Sequence, residues 1–425
     1  MMDDSSIAVL RSLIAAGESG ETAVQNCFAD AVGALGGLVE HHAYRPCDIP
    51  VIDEFTSGLL LPTEERVSVL GRFPGTGGGR SLILFAHPDS EPATDTDRWS
   101  KAPFAGLISE GRIYGWGVAD DRAGVAIMVD AMATLHRRGI MLAGDVILAS
   151  TPSKRQARGV SALLHSGLTA DAALYLHPAE SGAGTGEIKA VTCGQLTFRL
   201  RIEGKAPPTT EPLQTGFAHL AINPITKAQS LMSALAAFDE ERSSRVFHPL
   251  IHQAVGRSTN LMISSISSGD TDLSARMSLT CEIGAAISFP PGEGLNDIKT
   301  AVEAALAKAV ADDPWLTLHP PLLAWDTGTA AAEVRLDHPF FVTAKEAVRA
   351  ATGTEPVCNP MHTGSDIRNP IVQKGIPTLG LGPLCGNLSQ NGQHDEWVDL
   401  ADYRNAVLAT ADIIQKWCTP SHGRQ

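Results

Sequence analysis

The chain has 425 residues, of which 44% are hydrophobic and 19% charged, so it can bury a large core and we expect two domains. Its net charge of -14 and isoelectric point near 5.4 argue against a general binder of nucleic acids or anionic membranes. No apolar stretch approaches the roughly 20 residues of a membrane helix, and the acidic start does not resemble a signal peptide. These properties predict a soluble, cytoplasmic protein that acts on small molecules.

The cysteines are scattered along the chain and form no CxxC pair. This spacing favours reduced thiols over a disulfide framework or a thiolate zinc site. The seven are Cys27, Cys47, Cys193, Cys281, Cys358, Cys385 and Cys418.

From about residue 81, short apolar runs alternate with longer amphipathic ones. In order these are SLILFAHPD, GVAIMVDAMATLHRRG, GDVILAST, VSALLHSG and ADAALYLHP. The alternation of strand and helix predicts an α/β fold with a mostly parallel sheet flanked by helices, whose chemistry collects at the carboxyl ends of the strands. His87, Ser153 and His177 all end such apolar runs.

Around residue 194 the pattern changes to one typical of an inserted domain. TFRLRIEG, NLMISSIS and MSLTCEIGAAISF indicate strands, whereas NPITKAQSLMSALAAF and LNDIKTAVEAALAKAV indicate helices. We therefore predict that residues 1–193 and 321–425 form an outer domain, and that residues 194–320 form an α+β, ferredoxin-like domain inserted into it.

Several polar motifs follow the predicted strands. His87-Pro88-Asp89 places an imidazole beside a carboxylate, and Asp120 lies in the Gly-rich turn of GRIYGWGVADDRAG just before a helix. Taken singly, a structural histidine and an N-capping aspartate explain these residues equally well. His177, the segment HTGSDIRNP and the segment GQHDEWVDL follow. The joint order of these segments is more specific than any one of them.

In this order of motifs the chain resembles the M20 family of metallopeptidases and amidohydrolases, over nearly its whole length. The resemblance implies a zinc-peptidase-like catalytic domain and a lid domain that forms a homodimer. It implies that His87 binds a metal with Asp89 as its partner, that Asp120 bridges two zinc ions, and that His177 completes the first metal site. Zinc is the expected metal, with manganese or cobalt as alternatives.

The second metal site departs from the family pattern. Aligning Gly159 with the glycine that follows the family's glutamate pair puts Ser153 at the general base and Lys154 at a metal ligand. A protonated lysine cannot ligate a metal, and serine cannot take a proton from metal-bound water at neutral pH. His394 is a candidate last ligand, although it lies two residues before Glu396 where the family has four. We therefore expect one metal ion per chain, with the Lys154 ammonium in place of the second.

The role of Lys154 stays open on the sequence alone. It can balance the charge of Asp120 and then act as a base with a depressed pKa or, when charged, stabilise an oxyanion. A nucleophilic Ser153 with Lys154 as its base is a third possibility. Alternatively, the segment SKRQAR is a solvated turn and catalysis has been lost.

Substrate-binding candidates come from two regions. His362, Thr363 and Arg368 lie in or beside HTGSDIR, which resembles the family's substrate-proximal loop. In the inserted domain, His219 is a candidate for the family's carbonyl-polarising histidine, whose place is taken by Pro208. The remaining candidates, for binding a substrate carboxylate, are Asn260, Arg257 and Arg276.

Two classes of function follow. The first is a metal-dependent hydrolase that cleaves the C–N bond of an N-acyl amino acid or peptide-like small molecule. The alternatives are a repurposed enzyme of acyl transfer, condensation or lyase chemistry, and a non-catalytic homologue that binds a ligand or partner chain.

Overall fold

The computed structural model describes residues 7–58, 60–178, 181–269, 274–362 and 364–419. The chain divides into two compact units. The first is formed by Met1–Ile52, Gly58–Val191 and Glu333–Gln425, and the second by Asp53–Ser57 and Thr192–Ala332.

A six-stranded sheet is the centre of the first unit. Three of its neighbouring pairs are parallel and two are antiparallel, so the mostly parallel α/β sheet predicted from the sequence is confirmed. The carboxyl ends of its parallel strands therefore meet at one edge. In spatial order the strands are Leu38–Tyr44, Arg66–Phe73, Val146–Ser150, Leu82–Ala86, Ala172–Leu176 and Thr378–Leu381.

Helices cover both faces of this sheet. In the strand Leu82–Ala86, Leu82 and Leu84 belong to one hydrophobic cluster, and Ile83 and Phe85 to another. The strand is buried on both faces, which explains its continuous apolar sequence. The helices of this unit are Ala8–Ala16, Glu21–Ala34, Ala123–Arg137, Gly159–His165, Pro339–Thr352, Arg368–Lys374 and Leu400–Cys418.

A second, four-stranded sheet of this unit lies next to the turn that carries Asp120. Its strands are Cys385–Gly386, Trp397–Asp399, Arg112–Tyr114 and Leu107–Ser109, in that spatial order. The strand Arg112–Tyr114 runs into the irregular helical turn Val118–Arg122, which continues directly into the helix Ala123–Arg137. The unit also contains a two-stranded parallel pair, Glu187–Ile188 with Val357–Cys358.

The second unit is an antiparallel sheet with helices packed on it. The strands, in spatial order, are Asn260–Ser268, Thr280–Phe289, Gly194–Glu203, Leu322–Thr329 and Glu54–Thr56. The helices are Pro224–Arg245, Pro249–Val255, Leu295–Ala311 and Pro314–Leu318. Alternate residues of Gly194–Glu203 are buried in the core of this unit, the pattern of a sheet with one covered face.

The inserted unit extends beyond residue 320, where the sequence pattern placed its end. Leu322–Thr329 forms a strand that pairs antiparallel with Gly194–Glu203, more than a hundred residues earlier, and so stays with this unit. Within the described ranges, none of the helices is both long and apolar enough to span a membrane.

Candidate active site

Three neighbouring strands of the main sheet bring the predicted chemistry to one edge. His87 follows Leu82–Ala86, His177 follows Ala172–Leu176, and Ser153 and Lys154 follow Val146–Ser150. Because these strands are parallel and adjacent, the side chains just beyond their ends lie close together.

The buried side chains of His87, Asp120 and His177 converge on one point. The Nε2 atoms of the two histidines lie 2.9 and 3.3 Å from Oδ1 of Asp120, and one ligand atom from each residue lies within 4.8 Å of the others. Asp120 Oδ1 is buried, and among the described residues it has no partner in hydrogen-bond geometry. Two imidazoles and a carboxylate are a donor set that suits zinc, so this group fits a divalent ion.

Backbone oxygens orient the two imidazoles. His87 Nδ1 lies 2.9 Å from the backbone carbonyl of Asp89, and since a carbonyl only accepts, Nδ1 carries the proton. The lone pair of a neutral His87 is then on Nε2, which faces Asp120. His177 Nδ1 lies 3.3 Å from the carbonyl of Pro178 and 3.4 Å from Nζ of the buried Lys189.

Charges in this group shift the pKa values strongly. Burial and the nearby Lys189 ammonium lower the pKa of His177 to about 3, so its ring is neutral at physiological pH. Burial alone would lower the pKa of His87, but contacts with Asp120 and Asp89 outweigh it and raise the pKa well above the usual value. A bound cation would have to displace that proton, so metal binding here is coupled to proton release.

The other oxygen of Asp120 faces a different cation. Lys154 Nζ forms an ion pair with Asp120 Oδ2 and donates a hydrogen bond of 2.7 Å to Oε1 of Gln390. Burial alone would lower the pKa of Lys154, but the Asp120 carboxylate outweighs it and raises the pKa above its usual value. Lys154 is therefore a charged ammonium where Asp120 is its partner, and its role beside a bound metal ion stays a prediction.

Asp89 joins the two strand ends. Its carboxylate accepts hydrogen bonds from the backbone amides of Ser153 (3.0 Å) and Lys154 (2.9 Å) and forms an ion pair with Arg66 at 3.1 Å. Burial raises the pKa of this carboxyl, but His87 and the other donors outweigh burial and lower it. Asp89 is thus ionised and holds the backbone of Ser153 and Lys154 in place.

The Ser153 hydroxyl does not point to Lys154. It donates a hydrogen bond to Oδ2 of Asp366, whose other oxygen lies 3.3 Å from Nη1 of Arg368. Arg368 also donates to the backbone carbonyl of Gly364 at 3.0 Å, so its guanidinium braces this loop.

The aromatic ring of His362 lies beside His177, with 4.8 Å between the ring centroids. Thr363, the other predicted substrate-binding residue of this loop, lies outside the described residues. The substrate-binding role of this loop stays a prediction.

Among the residues that the structure describes, the convergent group comprises His87, Asp120 and His177, and His394 is not part of it. Its neighbour Glu396 is fully buried and accepts hydrogen bonds from the backbone amides of Gly117, Ala119 and Asp120, at 3.2, 2.7 and 3.2 Å. Glu396 therefore fixes the turn that carries Asp120, a role that the sequence analysis did not assign to it.

The remaining candidates lie in the second unit. His219, in the turn Thr215–Leu220, is exposed, as are Asn260 and Arg276. Arg257 binds the carboxylate of Asp239 at 2.7 Å, so its charge is already paired. The proposed substrate contacts of all four stay predictions.

Comparisons with known proteins identify the family. The model described as peptidase family M20/M25/M40 matches residues 83–416. An N-formyl-4-amino-5-aminomethyl-2-methylpyrimidine deformylase from Halalkalibacterium halodurans is 26% identical over 84% of each chain. A succinyl-diaminopimelate desuccinylase from Methylobacterium radiotolerans is 27% identical over 80% of this chain and 81% of its own, and an acetylornithine deacetylase from Proteus mirabilis is 24% identical over 81% and 80%.

Solved structures share the fold over almost the whole chain. An M20 family metallo-carboxypeptidase from Sulfolobus solfataricus has a TM-score of 0.70 at 15% identity, covering 98% of this chain and 99% of its own. A dinuclear metal binding peptidase of the M20 family from Bacillus subtilis has a TM-score of 0.62 at 16% identity, covering 97% and 98%. The chain therefore belongs to peptidase family M20/M25/M40 and is an enzyme of its amidohydrolase type.

Proposed function

We propose that this protein hydrolyses the amide bond of a small N-acyl amino acid or peptide-like compound with one metal ion per chain. The observation that carries the proposal is the division of the Asp120 carboxylate. Its Oδ1 faces the Nε2 atoms of His87 and His177, and its Oδ2 is paired with the Lys154 ammonium.

His87, Asp120 and His177 would hold the ion, with zinc as the first choice and manganese or cobalt as alternatives. The buried Oδ1 and the two imidazole nitrogens around it fit such an ion. A bound divalent ion supplies polarisation of the substrate carbonyl and activation of water. His394 remains a proposed fourth ligand only if its loop takes another arrangement.

Lys154 would stabilise the charge that develops on the carbonyl oxygen. An ammonium has three N–H groups, and Asp120 and Gln390 accept from two of them. The third is then available to an oxygen of the substrate in the transition state. A donor fixed in advance by two partners costs little reorganisation when that charge appears.

The substrate class follows from the relatives and the loop. The three relatives are named for removing a formyl, acetyl or succinyl group, so an N-acyl amine is the first class to test. We assign substrate contacts to His362, Thr363 and Arg368 in the first unit and to His219, Asn260 and Arg276 in the second. We also propose a cytoplasmic homodimer that associates through the inserted unit.

One observation favours a second candidate. Position 153 carries a hydroxyl in place of the expected glutamate, and Lys154 is charged, so neither is a ready base. A repurposed enzyme of acyl-transfer, condensation or lyase chemistry, or a ligand-binding homologue, would tolerate this loss.

The test is metal content per chain by elemental mass spectrometry, on protein purified without chelator, together with a screen of N-acyl amino acids and dipeptides. We expect about one ion in the wild type and none in His177→Ala, with hydrolysis lost in parallel. His41→Ala changes an exposed strand histidine and should retain both. Two ions per chain would contradict the replacement of the second metal by Lys154. No ion after zinc is supplied would favour the binding protein.

A further inference from the structure

Amide hydrolysis needs a proton acceptor, and Ser153 stands where a glutamate is expected to be one. Among the carboxylates already described, Asp120 is shared between two imidazoles and an ammonium, and Asp89 is engaged by two backbone amides and Arg66. Glu396 is fully buried and engaged by backbone amides. A proton acceptor beyond these three carboxylates is therefore needed.

Asp366 meets this requirement. Its Oδ2 accepts the proton of the Ser153 hydroxyl, and its Oδ1 lies 3.1 Å from Nδ2 of Asn369 and 3.3 Å from Nη1 of Arg368. The side chain is 15% exposed, so it is partly shielded but not sealed from water. Three donors of this kind fix the orientation of the carboxylate.

Ser153 donates to this carboxylate and is followed in the chain by Lys154. Its backbone amide donates to Asp89, and the next residue, Lys154, reaches Asp120. A hydroxyl that donates its proton still has lone pairs with which to accept another. Ser153 can therefore accept a proton from water as it passes its own to Asp366.

We infer that Ser153 and Asp366 form a proton relay that takes the place of the missing glutamate; this inference rests on the proposed hydrolytic function. In the first step the water oxygen bonds to the acyl carbon and the C=O π pair moves onto the carbonyl oxygen, while the water proton moves to Ser153 Oγ and the Ser153 proton moves to Asp366 Oδ2. In the second step the C=O double bond re-forms, the C–N bond breaks with its electron pair on nitrogen, and the proton returns from Asp366 through Ser153 to that nitrogen. The products are an acid and an amine, and Asp366 is again a carboxylate.

The relay differs from a nucleophilic serine. In the relay no bond forms between Ser153 and the acyl carbon, so no acyl-enzyme accumulates. It also differs from a purely structural role, in which Asp366 only holds Arg368 and Asn369 in the loop. A glutamate at position 153 separates the relay from the structural role of Asp366. If the relay operates, this glutamate takes the proton itself and Asp366 is no longer needed. If Asp366 only supports the loop, it is still needed.

The experiment compares Ser153→Ala, Asp366→Asn, Ser153→Glu and the double variant Ser153→Glu/Asp366→Asn, with the N-acyl substrate that the wild type hydrolyses best. We expect kcat to fall about 100-fold in each of the first two variants, since a positioned base contributes at least this much. Relative to Ser153→Glu, the double variant should lose less than about threefold in kcat, because a glutamate makes the relay unnecessary. Asp97→Asn, at an exposed position, is the matched control for loss of a carboxylate.

Metal content and thermal unfolding of each variant separate the relay from folding and from metal binding. The relay is overturned if Asp366→Asn lowers kcat as much in the Ser153→Glu enzyme as in the wild type. That result would indicate a structural role for Asp366. An acyl adduct on Ser153 in quenched wild-type enzyme would also overturn it. If the wild type hydrolyses its substrate but neither single variant slows it, the relay fails and the proposed function stands; a wild type with no hydrolysis of any N-acyl compound contradicts both.

Discussion

The two oxygens of Asp120 belong to the same carboxylate, yet they contact different kinds of group. Around Oδ1 lie two imidazole nitrogens, which can give lone pairs to a cation that displaces the His87 proton. Around Oδ2 lies the Lys154 ammonium, which is itself a cation and has only protons to give. The charge of Asp120 can thus be balanced by a metal ion at one oxygen and by a lysine ammonium, which is part of the chain, at the other.

This comparison explains why the lysine is compatible with the fold. The Lys154 ammonium loses part of its hydration when it is buried. It gains an ionic partner in Asp120 and a neutral acceptor in Gln390, at 2.7 Å. The contacts of each Asp120 oxygen can therefore be removed separately. We expect metal content to fall when an imidazole is removed and to rise when the ammonium is replaced by a carboxylate.

Removing an imidazole should have the largest effect. His87→Ala deletes one of the three groups around Oδ1, and we expect metal content to fall from about one ion per chain to none. Hydrolysis should fall at least about 1000-fold, since a metal ion supplies several kcal/mol of transition-state stabilisation. Elemental analysis and the N-acyl assay measure both. His165→Ala, at an exposed helix end, is the control, and a metal-replete but inactive His87→Ala would contradict the ligand assignment.

Replacing the ammonium by a carboxylate should create a second ion site. In Lys154→Glu, the new carboxylate, Asp120 Oδ2 and the amide oxygen of Gln390 would offer oxygen ligands on the side opposite the imidazoles. We expect metal content to rise towards two ions per chain after dialysis against manganese or zinc. Lys374→Glu makes the same charge change at an exposed helix end and should leave the content unchanged. A count of one in Lys154→Glu would show that Oδ2 is not a cation position.

Neutralising the lysine separates its charge from its catalytic role. Lys154→Met retains the length of the side chain but removes the ammonium, so the metal should bind more tightly while kcat falls about 100-fold, the usual effect of losing one oxyanion donor. A metal titration and the N-acyl assay on the same preparation check this. Weaker metal binding in Lys154→Met would contradict the view that the ammonium and the metal ion compete electrostatically.

The side of Asp120 that carries the imidazoles was largely predictable from the sequence. His87 and His177 end apolar runs that the fold places side by side, and parallel strands deliver their ends to one edge. The position of Lys154 rested on Gly159, and the structure explains that glycine: a Cβ there would lie 2.1 Å from Oγ1 of Thr151. Glycine is required by this close approach, so it is a reliable point of alignment.

The residues that support the site were not predictable in the same way. Gln390 is 236 positions from Lys154, and Glu396 is 276 positions from Asp120, so no local spacing connects either pair. The strand Leu322–Thr329 was missed because its partner Gly194–Glu203 is distant and its own burial pattern lacks alternation. Such contacts depend on the tertiary fold, which periodicity does not encode.

Asp130 provides a reference carboxylate for the electrostatic argument. Asp130 accepts a hydrogen bond of 2.7 Å from the hydroxyl of Tyr403. The charges around it lower its pKa less than burial raises it. Burial therefore raises the pKa of Asp130 to about 6, against the lowering by Tyr403 and Arg137, whereas the imidazoles and Lys154 hold the pKa of Asp120 well below its usual value. The two shifts have opposite signs because the cations near Asp120 outweigh burial, whereas Tyr403 and Arg137 do not outweigh it at Asp130.

The smallest effect we expect is on the pH dependence of stability at Asp130. Between about pH 4 and 6 the folded chain retains a proton that the unfolded chain has released, so Asp130 stabilises the fold most below pH 4 and this contribution is lost as the pH rises through about 6. Asp130→Asn does not titrate but can still accept from Tyr403. The free energy of unfolding of the wild type, relative to Asp130→Asn, should therefore decrease by roughly 1–3 kcal/mol from pH 4 to 7.

Urea unfolding of chelator-treated protein measures this difference without a contribution from metal release. Asp97→Asn, at an exposed position, should show no such decrease with pH. A wild-type advantage that instead grows between pH 4 and 7 would mean that Asp130 is stabilised as a carboxylate. Burial would then not be the dominant influence at Asp130, and the contrast with Asp120 would have to rest on the cations alone.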